Sequence, residues 1–315
     1  MQKYLSLSGG SRHARLKLLG YYAQRVCTSR RLRRATTRAV IAGLGALHGQ
    51  DGRARTLSPA VETMRAQGHV QLGRLLSAAQ CAEMLAWLRQ RPMIAARGSG
   101  HAFTLDDAPA DARIGDFPLE TVVNCPHVLG LANHPDMLAL AGGYLGYTPI
   151  ITLMGLRWSF PGAGADADVQ HFHRDVEPGS IKLFAYLTDV DADSGPHHYV
   201  ARSHLDRMPL RMQRYADREV ARRYGGSVAI TGPAGTAFAI DVKGIHKGAP
   251  PVTRARLMLV IQYSLLPCLM YDYAPVPYRG RARFSTYTNR LMVAPEEGRA
   301  GRLGAPDDTV APLPD

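Results

Sequence analysis

The chain has 315 residues, 46% of them hydrophobic, with 38 Lys and Arg against 26 Asp and Glu for a formal charge of +12. This content excludes a wholly disordered or collagen-like polymer, and no apolar run reaches the ~18 residues of a membrane-spanning helix. Four widely spaced cysteines (Cys27, Cys81, Cys125, Cys268) with no CxxC pair exclude a zinc ribbon or a disulfide-dense scaffold and point to a reducing compartment.

The charge is unevenly placed. Residues 1–60 hold 12 of the basic residues and a single acid, Asp51, whereas the rest of the chain is close to balanced. The excess therefore belongs to a basic N-terminal arm, residues 1–57, helical over Ala14–Cys27 and Leu32–Leu47 or partly disordered. The near-neutral body gives no reason to expect a specific nucleic-acid partner. The second arm helix carries Arg31, Arg33, Arg34 and Arg38 ahead of the apolar stretch AVIAGLGAL. Three readings stay open for the arm: peripheral contact with a membrane or anionic surface, organelle targeting, or an extension without a dedicated role. Otherwise a cytoplasmic location is expected.

DGRARTL (51–57) reads as a linker. Ser58-Pro59 starts a helix that Gly68 ends. HVQLGRL is a short strand, and Ser77 caps a helix over Ala78–Gln90 with Cys81, Met84, Leu85 and Leu88 on one face. Residues 94–120 read as loop, and 134–145 as helix. From residue 149 the texture changes to β-branched and aromatic runs between Gly, Pro and Asp turns. This predicts a mainly β chain with flanking helices (α+β), its core over about 149–268 a sandwich or barrel of the jelly-roll type. QHFHRD is expected in a strand, Leu210–Tyr224 as a helical insertion, and the terminal GAPDDTVAPLPD as disordered.

The chemistry concentrates in Gln170-His171-Phe172-His173-Arg174-Asp175. In a strand, residues two apart share a face, so His173 and Asp175 can reach one metal ion, and so can His171. His246 lies 73 residues after His173, flanked by Gly244 and just before the strand RLMLVIQYS. Two histidines and one carboxylate leave three positions of an octahedral ion open, the facial triad that suits non-haem Fe(II) and O2. Arg256 follows ten residues after His246; a dicarboxylate cosubstrate needs such a cationic fork at its far end.

QHFHRD, IKLFAYLTDVDADSGPHHYVARSH and GIHKGAPPVTRARLMLVIQYS together resemble the phytanoyl-CoA dioxygenase family of Fe(II)/2-oxoglutarate oxygenases. MRAQGHVQLGRLLSAAQCAEMLAWL and ANHPDMLALAGGYLG extend the resemblance over roughly residues 60–268. It implies a double-stranded β-helix (jelly-roll, cupin-like) core in a dioxygenase domain over 58–290, with 291–315 as tail. It implies His173, Asp175 and His246 as iron ligands, Arg256 on the 2-oxoglutarate C5 carboxylate with Arg254 as runner-up, and Gln170 beside the ligands. Lys182, Phe184 and Tyr186 share the strand face that would line the cosubstrate pocket, with Ile181, Leu183, Ala185 and Leu187 in the core. His171 is second to the ligand pair, facing substrate or structural. In VARSH, Ala201-Arg202 replaces the family's usual Pro-Gly, which puts the local turn in doubt. The implied reaction consumes 2-oxoglutarate and O2, releases succinate and CO2, and hydroxylates an aliphatic C–H of a small-molecule or carrier-linked substrate. The basic insertion, 205–227, reads first as a solvated helix face and second as contact to an anionic substrate. Competing classes are a cupin-like metal or sugar-binding module without oxygenase activity, and an accessory protein that acts through its arm on membranes or polyanions.

Overall fold

The computed structural model describes residues 3–4, 17–22, 27–49, 58–95, 101–162, 170–175, 177–211 and 213–295. The expected linker and the terminal GAPDDTVAPLPD lie outside the described residues; of the helix expected over Ala14–Cys27, residues 17–22 are described and helical.

Helix α1 spans Arg30–His48, with the Ser29 hydroxyl accepting from Leu32 N at 3.4 Å. It lies against the body: Leu44 is buried, and the Tyr147 hydroxyl donates to Leu44 O and Gly49 O. Helix α2 (Pro59–Gln67) begins behind Ser58 and stops at Gly68, whose φ of 83° only glycine adopts without strain. Strand β1 (His69–Arg74) follows. Helix α3 (Ala78–Arg89) opens with a reciprocal cap between Ser77 and Gln80. Its expected apolar face is inward at Cys81, Met84 and Leu88, while Leu85 is half-buried.

Residues 94–120 are not the expected loop. They contribute strands β2 (Met93–Ala95), β3 (Ala102–Phe103) and β4 (Ile114–Asp116), then the start of α4 (Leu119–Asn124). Strands of two or three residues have no readable periodicity; the neighbouring strand supplies their order. Helices α5 (Val128–Ala132) and α6 (Pro135–Leu145) complete the helical layer.

Apart from a separate short pair, Lys3–Tyr4 with Tyr271–Asp272, the remaining strands are β5 (Ile150–Ser159), β6 (Ser180–Tyr186), β7 (His197–Tyr199), β8 (Val228–Ile230), β9 (Thr236–Asp241), β10 (His246–Gly248) and β11 (Arg256–Ser264). They form a mixed α/β fold with an eight-stranded sheet, β1-β9-β6-β11-β5-β4-β2-β3, and a three-stranded sheet, β10-β7-β8. All pairings within them are antiparallel. Alternation along β6 divides the core. Ile181, Leu183 and Ala185 join the helices in one cluster; Phe184 and Tyr186 meet Tyr199 and Ile230 of the small sheet in another. The large sheet thus carries helices on one face and the small sheet on the other.

Two further expectations change. QHFHRD is not a regular strand: only Phe172 and His173 make isolated bridges, to Tyr215 and His246. The insertion is helical only over Asp217–Tyr224 (α7). Upstream, the Leu210 and Tyr215 amides are committed to Thr28 O and Phe172 O, which removes them from any helical ladder.

Candidate functional site

His173 and His246 meet as an antiparallel bridge, exchanging N–H···O bonds of 3.0 Å in both directions. This pairing puts both side chains on one side, with ring centroids 4.4 Å apart. Two residues on, the Asp175 amide donates to Val242 O at 2.9 Å. One ligand atom from each of His173, Asp175 and His246 lies within 4.8 Å of the others. The backbone, rather than a continuous strand, brings the three together.

The rings are also oriented. His173 Nδ1 lies 2.8 Å from His171 O, and His246 Nδ1 lies 3.0 Å from Gly244 O. A carbonyl only accepts, so Nδ1 carries the hydrogen in each neutral ring and Nε2 presents its lone pair. The Nε2 atoms face Asp175 at 3.7 Å and 3.9 Å. Burial, helped by His173, pushes the His246 pKa down to about 3, which keeps this ring neutral. Burial opposes the Asp175 charge, yet the Lys182 ammonium beside it holds its carboxyl well below the usual range. The contribution of His171 is its carbonyl oxygen.

Arg256, at the start of β11, is 3% exposed. Its Nη2 donates to Ser159 Oγ at 3.3 Å, while Nε and Nη1 meet no partner among the described residues. Burial lowers its pKa to about 10, a shift that leaves the guanidinium charged at neutral pH. A desolvated cation with two unused donors is costly unless an anion joins it. Arg254, the runner-up, is on the surface in an ion pair with Asp191.

Of the other expected residues, Gln170 is buried. Lys182 donates to Asp175 Oδ2. Phe184 stacks on Phe238 at 5.2 Å. The Tyr186 hydroxyl donates to Ile230 O and accepts from His197 N. Arg174 ties this loop down: it is 2% exposed and donates to Ser203 O, Lys243 O and Tyr215 Oη.

One residue escaped the sequence reading. His197 is 3% exposed, and neither ring nitrogen has a partner among the described residues. Its ring packs 4.7 Å from Phe184 and 5.6 Å from His246. Burial first, and the nearby Arg256 charge, lower its pKa well below the ordinary value. The signal was alternation: in HHYV, His197 and Tyr199 share the inward face, while His198 reaches Ser227.

The groups fit an iron ion and a dicarboxylate. Two imidazoles and one carboxylate on one side are the donor set that Fe(II) takes with three positions left open. The unused donors of Arg256 match a carboxylate fork.

The sequence matches the family described as Phytanoyl-CoA dioxygenase (PhyH) over residues 64–257. No curated protein sequence matches the chain. Among solved structures, the epimerase SnoN in complex with Fe3+, alpha ketoglutarate and nogalamycin RO is similar at a TM-score of 0.50 and 20% identity, over 76% of this chain and 95% of that one. The carbocyclase SnoK from nogalamycin biosynthesis gives 0.47 and 20%, over 67% and 85%. HygX from Streptomyces hygroscopicus, with nickel and 2-oxoglutarate bound, gives 0.45 and 14%, over 70% and 91%.

Proposed function

The chain belongs to the phytanoyl-CoA dioxygenase family, and from that premise we propose that it is an Fe(II)/2-oxoglutarate-dependent hydroxylase acting on an aliphatic C–H of a small-molecule or carrier-linked substrate. In this reading His173, Asp175 and His246 hold the iron, and Arg256 grips the distal carboxylate of 2-oxoglutarate. Gln170, Lys182, Phe184 and Tyr186 complete the pocket. The two facing sheets are read as a double-stranded β-helix, and residues 58–290 as the oxygenase unit. When bound, Fe(II) with 2-oxoglutarate and O2 supplies the oxidant, with succinate and CO2 as products.

The protein's own part is preparation. The carbonyls of His171 and Gly244 fix both imidazole tautomers, so no proton must leave Nε2 before metal binds. Lys182 keeps Asp175 ionised. Arg256 orients the cosubstrate, and the aromatic wall of Phe184, Tyr186 and Phe238 excludes water from its chain. A ligand carboxylate is present where a halogenase would leave room for halide, which favours hydroxylation.

The observation that carries this reading is the buried Arg256 guanidinium with two unused donors, near His197, whose ring lies 5.6 Å from that of His246. Anaerobic titration with Fe(II) and 2-oxoglutarate tests it. A visible charge-transfer band is expected from the wild type and is absent from Asp175→Ala. A wild type that gives no band, with 2-oxoglutarate affinity unchanged in Arg256→Met, sinks the proposal and favours a non-oxygenase metal module.

A further inference from the structure

A second site lies where α1 meets the body. A cavity of about 410 Å³ is lined by Arg30, Arg33, Arg34 and Arg38 of α1, Arg65 of α2 and Lys243. The only acid in its lining is Asp241, and that carboxylate is already engaged by the Tyr144 hydroxyl at 2.6 Å and by Lys243 Nζ at 3.2 Å. No acid lies within ion-pair distance of Arg30, Arg34, Arg38 or Arg65 among the described residues; Asp206, the acid that most offsets Arg30, is bound to Arg174 and Tyr224.

The arrangement works against the helix that makes it. Positions 30, 33, 34, 37 and 38 are one face of α1, and all five line the cavity. Arg30, Arg34 and Arg38 repeat at four-residue spacing, where like charges repel. Arginines crowd a first turn that holds no acid, the end where the helix dipole is already positive. Arg30 is pinned into the cavity wall by bonds to Met208 O and His204 O, both 2.8 Å, and its Nη2 is buried without a partner among the described residues. Burial lowers the pKa of Arg30 and of Arg33. Each feature is unfavourable for the empty helix and favourable around a multiply charged anion. The concave shape and size suit a small molecule rather than a bilayer surface.

We propose that this cavity binds a small molecule carrying a pyrophosphate-like group with two or more phosphate charges, bridged between the arginine face of α1 and Arg65 with Lys243. Guanidinium forks match phosphate oxygens two at a time, and convergence from three segments selects a polyanion over a single phosphate. The site is separate from the metal centre in residues and in chemistry, and does not rest on the oxygenase reading.

The test is calorimetric titration of the full-length protein at constant ionic strength with pyrophosphate, orthophosphate, citrate and anionic phosphatidylglycerol vesicles. The expected result is one pyrophosphate per chain, with orthophosphate and citrate weaker by at least about tenfold. Arg34→Gln/Arg38→Gln removes two exposed side chains that make no hydrogen bond or ion pair to the body among the described residues. It should weaken pyrophosphate by at least about tenfold with the melting temperature not lowered and 2-oxoglutarate affinity unchanged. Binding should persist in Arg256→Met. The proposal is overturned by absence of one-to-one pyrophosphate binding, by equal affinity in the double variant, by loss in Arg256→Met, or by binding to vesicles alone.

Discussion

Two buried groups in the pocket have donors or acceptors left over, and each predicts a signature that packing alone would not give. Replacing Arg256 with Met removes a charge-assisted fork of about 3 kcal/mol or more, so 2-oxoglutarate affinity should fall at least about a hundredfold by anaerobic calorimetry. Arg254→Met, which breaks only the exposed pair with Asp191, should change it less than about twofold. His197 gives the sharper case. A buried imidazole with both nitrogens unpartnered burdens the metal-free fold, and an apolar residue of similar reach relieves it. His197→Leu should therefore raise the stability of the metal-free protein, by about 1 kcal/mol or more, while weakening 2-oxoglutarate binding. The two effects run in opposite directions only if the ring serves the bound state. A denaturant midpoint that falls together with affinity would make His197 a packing residue. The cluster of His173, Asp175 and His246 was legible because HxD and a Gly-flanked histidine occur together in one β-rich chain. His197 was not, because its chemistry lies in what it fails to touch.

At the scale of elements, the ligands depend on turns rather than on strands. The His246 ring is set by Gly244 O, and Gly244 itself lies against the Tyr199 hydroxyl so closely that a Cβ would collide with that ring. Tyr199 is fully buried and bonded to Asp241 O, so it cannot move aside. Gly244→Ala should cost about 1–3 kcal/mol by forcing this turn apart, and should weaken Fe(II) binding through the displaced His246. A variant with wild-type melting and metal affinity would refute that coupling. Arg202 offers the converse. Its φ is 64°, a left-handed position that a non-glycine residue occupies under strain. The resemblance leads one to expect glycine here, and the turn keeps the glycine conformation without the glycine. Its neighbour Ser203 still bonds Val200 O and receives the Ile245 amide. Arg202→Gly should release strain at little packing loss and raise the unfolding midpoint by up to about 1 kcal/mol in equivalent stability. The β-branched and aromatic runs from residue 149 announced their strands because a sheet covered on both faces buries successive residues on either side. QHFHRD and 94–120 misled the reading for the opposite reason: their conformation is imposed by partners distant in sequence, His246 for one and the edge of β5 for the other.

Over the whole molecule, the basic segment and the buried histidines both concern how charge is placed relative to the core. The excess charge of residues 1–60 reads as a detached arm, yet α1 places Leu44 in the main core and its arginines around a cavity; nothing in the local sequence names the surface that receives it. The histidines distribute a second liability. His69 on β1 and His204 after β7 lie outside the candidate site, and burial lowers the pKa of each below the ordinary histidine value of about 6.5. His197 and His246 shift the same way in the metal-free chain. The unfolded chain takes up protons on these rings as pH falls through 6.5, while the folded chain resists until lower pH. In that window the unfolded state binds more protons, so stability must decline as pH falls. Melting of the metal-free protein between about pH 5 and 8 at constant ionic strength should show a flat upper limb and a progressive loss below the histidine range. His69→Phe keeps a ring beside Tyr199 and removes one titrating site, so it should shallow that slope without lowering the plateau by a comparable amount. A slope unchanged in His69→Phe, or a wild-type melting temperature flat down to the acid limit, would show that the rings are not buried in their neutral form.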